Sequence, residues 1–65
     1  MNTARYLSEK VRIGNGVWIG ASSVILPGVN VGEGAIIGAG TIVTNDIPPF
    51  AVAVGNPAKI IGYRK

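Results

Sequence analysis

The chain has 65 residues, of which 48% are hydrophobic, and a formal net charge of +3 at pH 7. A chain of this length buries only about 60% of its unfolded surface on folding, so that it is at most one domain and a marginally stable one. It contains no cysteine and no histidine, which excludes disulfides and the usual zinc ligands. Association with other chains remains as a source of stability.

Targeting signals and nucleic-acid signals are both weak. No segment resembles a signal peptide and no apolar run reaches membrane-spanning length, so we expect a cytoplasmic protein without a membrane partner. The basic residues form no stripe and have no aromatic platform beside them, which argues against nucleic acid. Two interpretations of the terminal charge stay open, a solvated surface and attraction to an anionic ligand such as a nucleotide phosphate. Five of the six basic residues lie near the ends: Arg5, Lys10, Lys59, Arg64 and Lys65.

A six-residue period dominates the chain after a polar lead-in over residues 1–6. It occupies residues 7–48, and mostly small or β-branched residues stand two positions before each aliphatic slot. A period of six with this pattern is typical of a hexapeptide β-helix. The aliphatic slots are Leu7, Ile13, Ile19, Ile25, Val31, Ile37 and Val43.

Strand geometry explains the period, because positions n and n+2 of a strand share one face. Val17 and Ile19 therefore point inward and Trp18 points outward. Three strands and three bends close one coil of a prism, so Val17 should lie beneath Ala35, the equivalent position three repeats later. The residues expected to point outward are Arg12, Asn30 and Pro48 on one face, Trp18 and Ile36 on the second, and Val24 and Ile42 on the third.

Glycine follows four of the aliphatic slots, at Gly14, Gly20, Gly32 and Gly38. We expect these glycines to relieve the cost of a positive φ at each corner. The same glycines exclude an amphipathic helix, since each costs about 1 kcal/mol relative to alanine inside a helix.

Two apolar outer faces on one small prism suggest burial against partners, and three prisms around a threefold axis are the simplest closed assembly.

The repeat ends at Pro48 and Pro49, since proline cannot donate to a strand ladder. Residues 49–65 are predicted as a C-terminal loop, strand and basic tail. Within them, residues 51–54 are interpreted as a strand and residues 55–57 as a turn, and residues 58–61 as a short strand or a helical turn. The prediction is therefore an all-β chain of a little over two coils plus this tail.

The segment from Val17 to Ile61 contains WIG, LPGV, IGAGT, DIPP and GNPAK in that order. It resembles the C-terminal part of hexapeptide acyltransferases of the maltose/galactoside O-acetyltransferase and xenobiotic acetyltransferase kind, over about two thirds of the chain. The resemblance implies a left-handed parallel β-helix that forms a homotrimer and uses acetyl-CoA, with no metal. Handedness comes from the resemblance alone, because the general rule for crossovers between parallel strands favours the opposite hand.

The resemblance also implies site residues. It places a coenzyme A groove between neighbouring subunits and makes Trp18 a wall of the acceptor pocket and of the subunit boundary. Gly62 stands where a second basic residue often follows, with Arg64 or Lys65 as candidate substitutes. The same residue types also have explanations that need no ligand: alanine suits a tight corner, threonine suits the end of a strand, and a surface lysine is solvated. Trp18 is equally explained as an anchor of the subunit interface. The residues implied to contact the cofactor are Gly20, Ala21, Ala39, Thr44, Asn45 and Lys59.

Catalysis is where the chain departs from the family, whose general base is a histidine from an upstream coil. The chain has no histidine, and its only carboxylates are Glu9, Glu33 and Asp46, so no catalytic residue is predicted. The first functional hypothesis is an acetyltransferase-like protein that moves an acetyl group from acetyl-CoA to a hydroxyl or amine of a small molecule or sugar, with the catalytic histidine region absent from this chain. The alternative is a non-catalytic trimeric structural or assembly module. A zinc-dependent hexapeptide hydratase is excluded by the lack of histidine.

Overall fold

The structure is a computed structural model that describes residues 10–64, and these residues form eight strands and no helix. No part of this range therefore contains a helix able to cross a membrane. Predictions for residues 1–9 and for Lys65 lie outside the described residues. The strands are β1 Arg12–Ile13, β2 Trp18–Ile19, β3 Val24–Ile25, β4 Asn30–Val31, β5 Ile36–Ile37, β6 Ile42–Val43, β7 Ala51–Val54 and β8 Lys59–Tyr63.

The first six strands form a parallel β-helix with the predicted register. Each of β1, β2 and β3 pairs in parallel with the strand three repeats later, as in the Trp18↔Ile36 pair. We call the three sides of the prism face A (β1, β4), face B (β2, β5, β7, β8) and face C (β3, β6). The outward stacking predicted for the first two coils is confirmed on all three faces.

The third coil is shorter than the sequence period predicts. Ile47 pairs with Val31, where the period would place Pro49, and Ala53 pairs with Ile37, where it would place Gly55. Pro48 was expected to point outward above Asn30, and this expectation is wrong. The corner between β6 and Ile47 is too short for the full repeat, so the chain reaches face A early and Pro48 begins the next corner.

The shortened corner leaves one backbone amide of β4 without a carbonyl acceptor, and a side-chain carboxylate accepts its hydrogen bond instead. The amide of Asn30 donates to Oδ1 of Asp46 at 2.8 Å, and Asn30 Nδ2 lies 3.4 Å from the second carboxylate oxygen. The ladder then continues, since Ile47 N donates to the carbonyl of Asn30 at 2.9 Å. Parallel stacking on face B resumes in β7, past the position where proline interrupts the repeat.

The C-terminal end reverses direction. β8 pairs antiparallel with β7 with an irregularity between Val52 and Ala53. Of residues 58–61, predicted as a strand or a helical turn, residues 59–61 therefore belong to a strand, and Ala58 ends the preceding turn. Arg64 fastens this strand, because its amide donates to the carbonyl of Phe50 at 2.7 Å and its Nη1 donates to the carbonyl of Gly34 at 2.8 Å.

The core lies in the second and third coils. Ile37 is fully buried, whereas Ile19, directly beneath it, is 40% exposed; Val31 is 2% exposed and Ile13 beneath it 45%. The first coil thus presents its inward-facing side chains at an open end of the prism. The buried apolar side chains are Val29, Val31, Ala35, Ile37, Val43, Ile47, Ala51 and Ala53.

The glycines that follow four of the strands were expected to relieve a positive φ, and this expectation is wrong. None of the four glycines at that position has a positive φ; positive values occur two positions further along, as at Gly40 with a φ of 72°. Close stacking requires the glycines instead. A Cβ on Gly20 would lie 2.5 Å from the amide nitrogen of Ala39, and one on Gly32 would lie 2.4 Å from the nitrogen of Pro49.

Candidate functional site

The corners of successive coils stack into three edges of the prism. The first edge comprises residues 14–17, 32–35 and 48–51, the second edge comprises residues 20–23 and 38–41, and the third edge comprises residues 26–29 and 44–46. Carbonyls of one coil accept from amides of the next along the edges, as in Gly34 N to Asn15 O at 2.8 Å. Each edge is therefore a rigid column on which sequence-predicted site residues can be located.

The second edge brings three of those residues together. Gly20 is buried beneath the backbone of Ala39, and Gly40 N donates to the carbonyl of Ala21 at 2.9 Å. Ala21, Ala39 and Gly40 are exposed. Because these side chains are a methyl group or a hydrogen, the edge offers a narrow surface of backbone and methyl groups to a ligand.

Two further predicted residues adjoin the second edge. Lys59 pairs with Val54, and a Cβ on Gly38 would come within 2.8 Å of the Val54 side chain, so Lys59 lies at the C-terminal end of this edge. Trp18 lies on the strand that enters the edge. It is 60% exposed and stands beneath Ile36 in the outer column of face B.

Thr44 and Asn45 lie elsewhere. Both are exposed on the third edge, and face C separates them from Ala21 and Ala39. The six residues implied to contact the cofactor thus occupy two edges of this chain. A single groove could include all of them only if the third edge of one subunit faced the second edge of another.

Charge distinguishes the second edge from the other two. Within residues 10–64 the acidic side chains are Glu33, exposed on the first edge, and Asp46, bonded to Asn30 at the third edge. The second edge carries no acidic residue and ends at Lys59. Arg64, a candidate for the missing basic residue at position 62, donates from its guanidinium to the carbonyl of Gly34 on the first edge.

One residue that the sequence reasoning did not single out takes part in the second edge. The Ser23 hydroxyl donates to the carbonyl of Gly38 at 2.8 Å and accepts from the amide of Thr41 at 3.3 Å. The sequence carried a signal for it, since Ser23 and Thr41 are hydroxyl residues at inward positions that are otherwise apolar or small.

Titratable side chains are sparse around the second edge within residues 10–64. The chain has no histidine, and the carboxylates of Glu33 and Asp46 are exposed on edges other than the second. No group of three metal-ligating side chains exists within residues 10–64. A general base must reach the acceptor proton within hydrogen-bond distance, and no described side chain offers one beside Ala21 and Ala39.

Comparisons with known proteins agree with this architecture. The chain is 54% identical over 52 residues to a chloramphenicol acetyltransferase of Agrobacterium fabrum, covering 80% of this chain and 25% of that protein. It is 55% identical to a galactoside acetyltransferase solved in complex with coenzyme A, with a TM-score of 0.80 over 82% of this chain and 26% of the other. A maltose O-acetyltransferase from Clostridium difficile 630 is 51% identical, with a TM-score of 0.83 over 85% of this chain and 29% of the other.

The chain spans about a quarter of the length of the curated relatives that it matches. Its structural neighbours are hexapeptide-repeat left-handed β-helices, which confirms the predicted fold class and its hand. Residues 10–45, more than half of the chain, match the family described as bacterial transferase hexapeptide (six repeats). The chain is a member of the bacterial transferase hexapeptide family.

Proposed function

We propose that this chain forms the acetyl-CoA-binding part of a hexapeptide acetyltransferase that acts on a hydroxyl or amine of a small molecule or sugar. The observation that carries the proposal is the second edge, where Gly20 lies against the Ala39 backbone and leaves a flat, exposed column ending at Lys59. An extended thioester arm fits such a column, and the lysine suits the phosphates of the nucleotide. The coenzyme A complex of the galactoside acetyltransferase supports this choice of ligand.

The proposed groove lies between two subunits. Gly20, Ala21, Ala39 and Lys59 would come from the second edge of one subunit. Thr44 and Asn45, on the third edge, would come from a neighbour, which accounts for their separation within one chain. Because two different edges meet, the contact is heterologous and closes into a ring, here a homotrimer. A cytoplasmic location goes with this proposal.

Coenzyme A binding is the test of the groove. Ala39→Arg should weaken coenzyme A binding at least about tenfold, because an arginine side chain at the exposed corner would fill the path of the thioester arm. Asn15→Arg is the matched control, since it adds the same charge at an exposed corner of the first edge. Calorimetry at millimolar coenzyme A measures both. Equal binding by the two variants, or none by the unmodified chain, would contradict the proposed groove.

The trimer supplies a second test. Trp18 and Ile36 on face B and Val24 and Ile42 on face C form apolar outer columns. Trp18→Lys should weaken association by about 2 kcal/mol, since it removes the largest apolar side chain and places a charge in the interface. Asn30→Lys on the polar face A is the control and should leave the assembly unchanged. Sedimentation across a concentration series measures both, and a well-folded monomer of the unmodified chain would refute the assembly.

Acetyl transfer itself needs a residue from outside this chain. When bound, acetyl-CoA supplies the activated acyl group, and the chain's own residues hold and orient it. A positioned general base contributes typically about 100- to 10,000-fold, and the 65 residues contain no histidine. We therefore expect no transfer above background from this chain alone with sugar, amine or antibiotic acceptors. Thiol release that depends on both acceptor and protein and is lost in Glu33→Gln would contradict this and identify the base.

A non-catalytic trimeric module is the second candidate. The apolar outer columns and the lack of histidine favour it, because both persist without any ligand. The two candidates differ in one measurement. A confirmed trimer that does not bind coenzyme A at millimolar concentration would favour the structural module.

A further inference from the structure

The four-residue corners of this β-helix differ in how they are closed. In three of them the fourth residue donates directly to the first: Val29 N to Leu26 O at 3.3 Å, Ala35 N to Gly32 O at 3.2 Å and Ala51 N to Pro48 O at 3.3 Å. Among the described residues, the corners at 14–17, 20–23 and 38–41 lack that bond. The corner at residues 38–41 differs from the other two. A side-chain hydroxyl from the coil below stands between its donor and its acceptor.

The hydroxyl belongs to Ser23. Its oxygen donates to Gly38 O at 2.8 Å and accepts from Thr41 N at 3.3 Å, so one hydroxyl uses a donor and an acceptor to close the turn. The corner is thereby bonded to the first coil through a side chain. Gly40 N, bonded to Ala21 O at 2.9 Å, forms a further tie to that coil. Ala39 lies between the bonded Gly38 carbonyl and the bonded Gly40 amide, so the peptide groups on either side of it cannot rotate without breaking one of these hydrogen bonds.

The same position one coil higher shows that the bridge is not a general property of the repeat. Thr41 lies directly above Ser23 and is fully buried, but its Oγ1 has no hydrogen-bond partner among the described residues. Above it the chain passes directly from Val54 to Gly55, whose carbonyl accepts from Ile42 N just as that of Thr41 accepts from Val24 N. No four-residue corner remains there for a hydroxyl to close. Within residues 10–64, the bridge occurs only at the level of Ala39.

We propose that Ser23 is a positioning residue for the acyl donor: its hydroxyl bridge sets the orientation of the Ala39 peptide on the second edge. This inference rests on the proposed coenzyme A groove and deepens it. Without the hydroxyl, the Gly38 carbonyl and the Thr41 amide lose their bonds to the first coil, and the exposed backbone at Ala39 can move relative to Ala21. The bound thioester arm would then lose its match to the edge.

The test compares three variants of the full chain by amide chemical shifts and by coenzyme A titration. Ser23→Ala should shift the Ala39, Gly40 and Thr41 amides and weaken coenzyme A binding about tenfold, the cost of one misplaced hydrogen bond. Ser23→Thr keeps the hydroxyl and should retain both properties. Thr41→Val is the matched control, because it removes a stacked hydroxyl that has no partner among the described residues, and it should leave coenzyme A affinity within about twofold.

Each outcome decides between a positioning role and a merely structural one. Loss of thermal stability in Ser23→Ala with unchanged amide shifts at residues 39–41 would overturn the positioning role, whatever the ligand does. Equal coenzyme A affinity of Ser23→Ala and the unmodified chain would overturn it while leaving the groove intact. Failure of the unmodified chain to bind coenzyme A would overturn the groove and the positioning role together.

Discussion

Gly20→Ala is expected to destabilise the protein by about 3 kcal/mol, close to the whole stability of a chain of this size. The added Cβ would lie 2.5 Å from the nitrogen and 2.7 Å from the Cα of Ala39. Both atoms belong to a corner held by the bonds from Gly40 N to Ala21 O and from Ser23 to Gly38 O. The backbone cannot yield without breaking them, so two coils must separate. Urea unfolding followed by circular dichroism, at fixed protein concentration, measures the loss.

Two glycines provide the controls. Gly40, on the same edge, has open space around a Cβ but a φ of 72°, so Gly40→Ala should cost about 1 kcal/mol from backbone strain alone. Gly62 in β8 has neither a close neighbour nor a positive φ, and Gly62→Ala should be neutral or stabilising by about 0.5 kcal/mol. A Gly20→Ala variant as stable as Gly40→Ala would show that the coils are not stacked as closely as described.

The second large effect is expected at Ile37. This side chain is fully buried, and Ile37→Ala should cost about 3 to 4 kcal/mol because the surrounding rigid coils cannot collapse onto the cavity. Ile19 carries the same side chain at the stacked position one coil below, but it is 40% exposed. Ile19→Ala should therefore cost about 1 kcal/mol. Chemical denaturation of the two variants under one set of conditions makes the comparison.

The comparison also reports on the open end of the prism. Ile19, Ile13 and Val11 are inward-facing but 39 to 45% exposed. If Ile19→Ala proved as costly as Ile37→Ala, the open end of the first coil would be covered in solution.

The sequence alone determined the architecture and most of the register. A strict six-residue period with three sides to a coil brings each strand onto the one three repeats away, which correctly placed Trp18 beneath Ile36 and Val24 beneath Ile42. The period also separated inward from outward side chains. The period could not by itself identify the edge that binds a ligand, because small residues at Ala21 and Ala39 suit tight corners whether or not a ligand binds. That assignment came from resemblance and remains a proposal.

Tertiary structure decided the features that depend on distances between coils. Gly14, Gly20 and Gly32 are required by backbone atoms of the next coil, as Gly20 is by Ala39. The spacing of residues within one coil does not show that neighbour. The position of Ile47 above Val31 depended on Asp46, whose carboxylate replaces a lost backbone acceptor and permits a shorter corner. The bridge made by Ser23 likewise joins one coil to the next. Periodicity determines which residues face inward, but only the stacked coils determine which atoms touch, since hydrogen bonds and steric contacts between coils depend on ångström distances that the spacing of residue types does not encode.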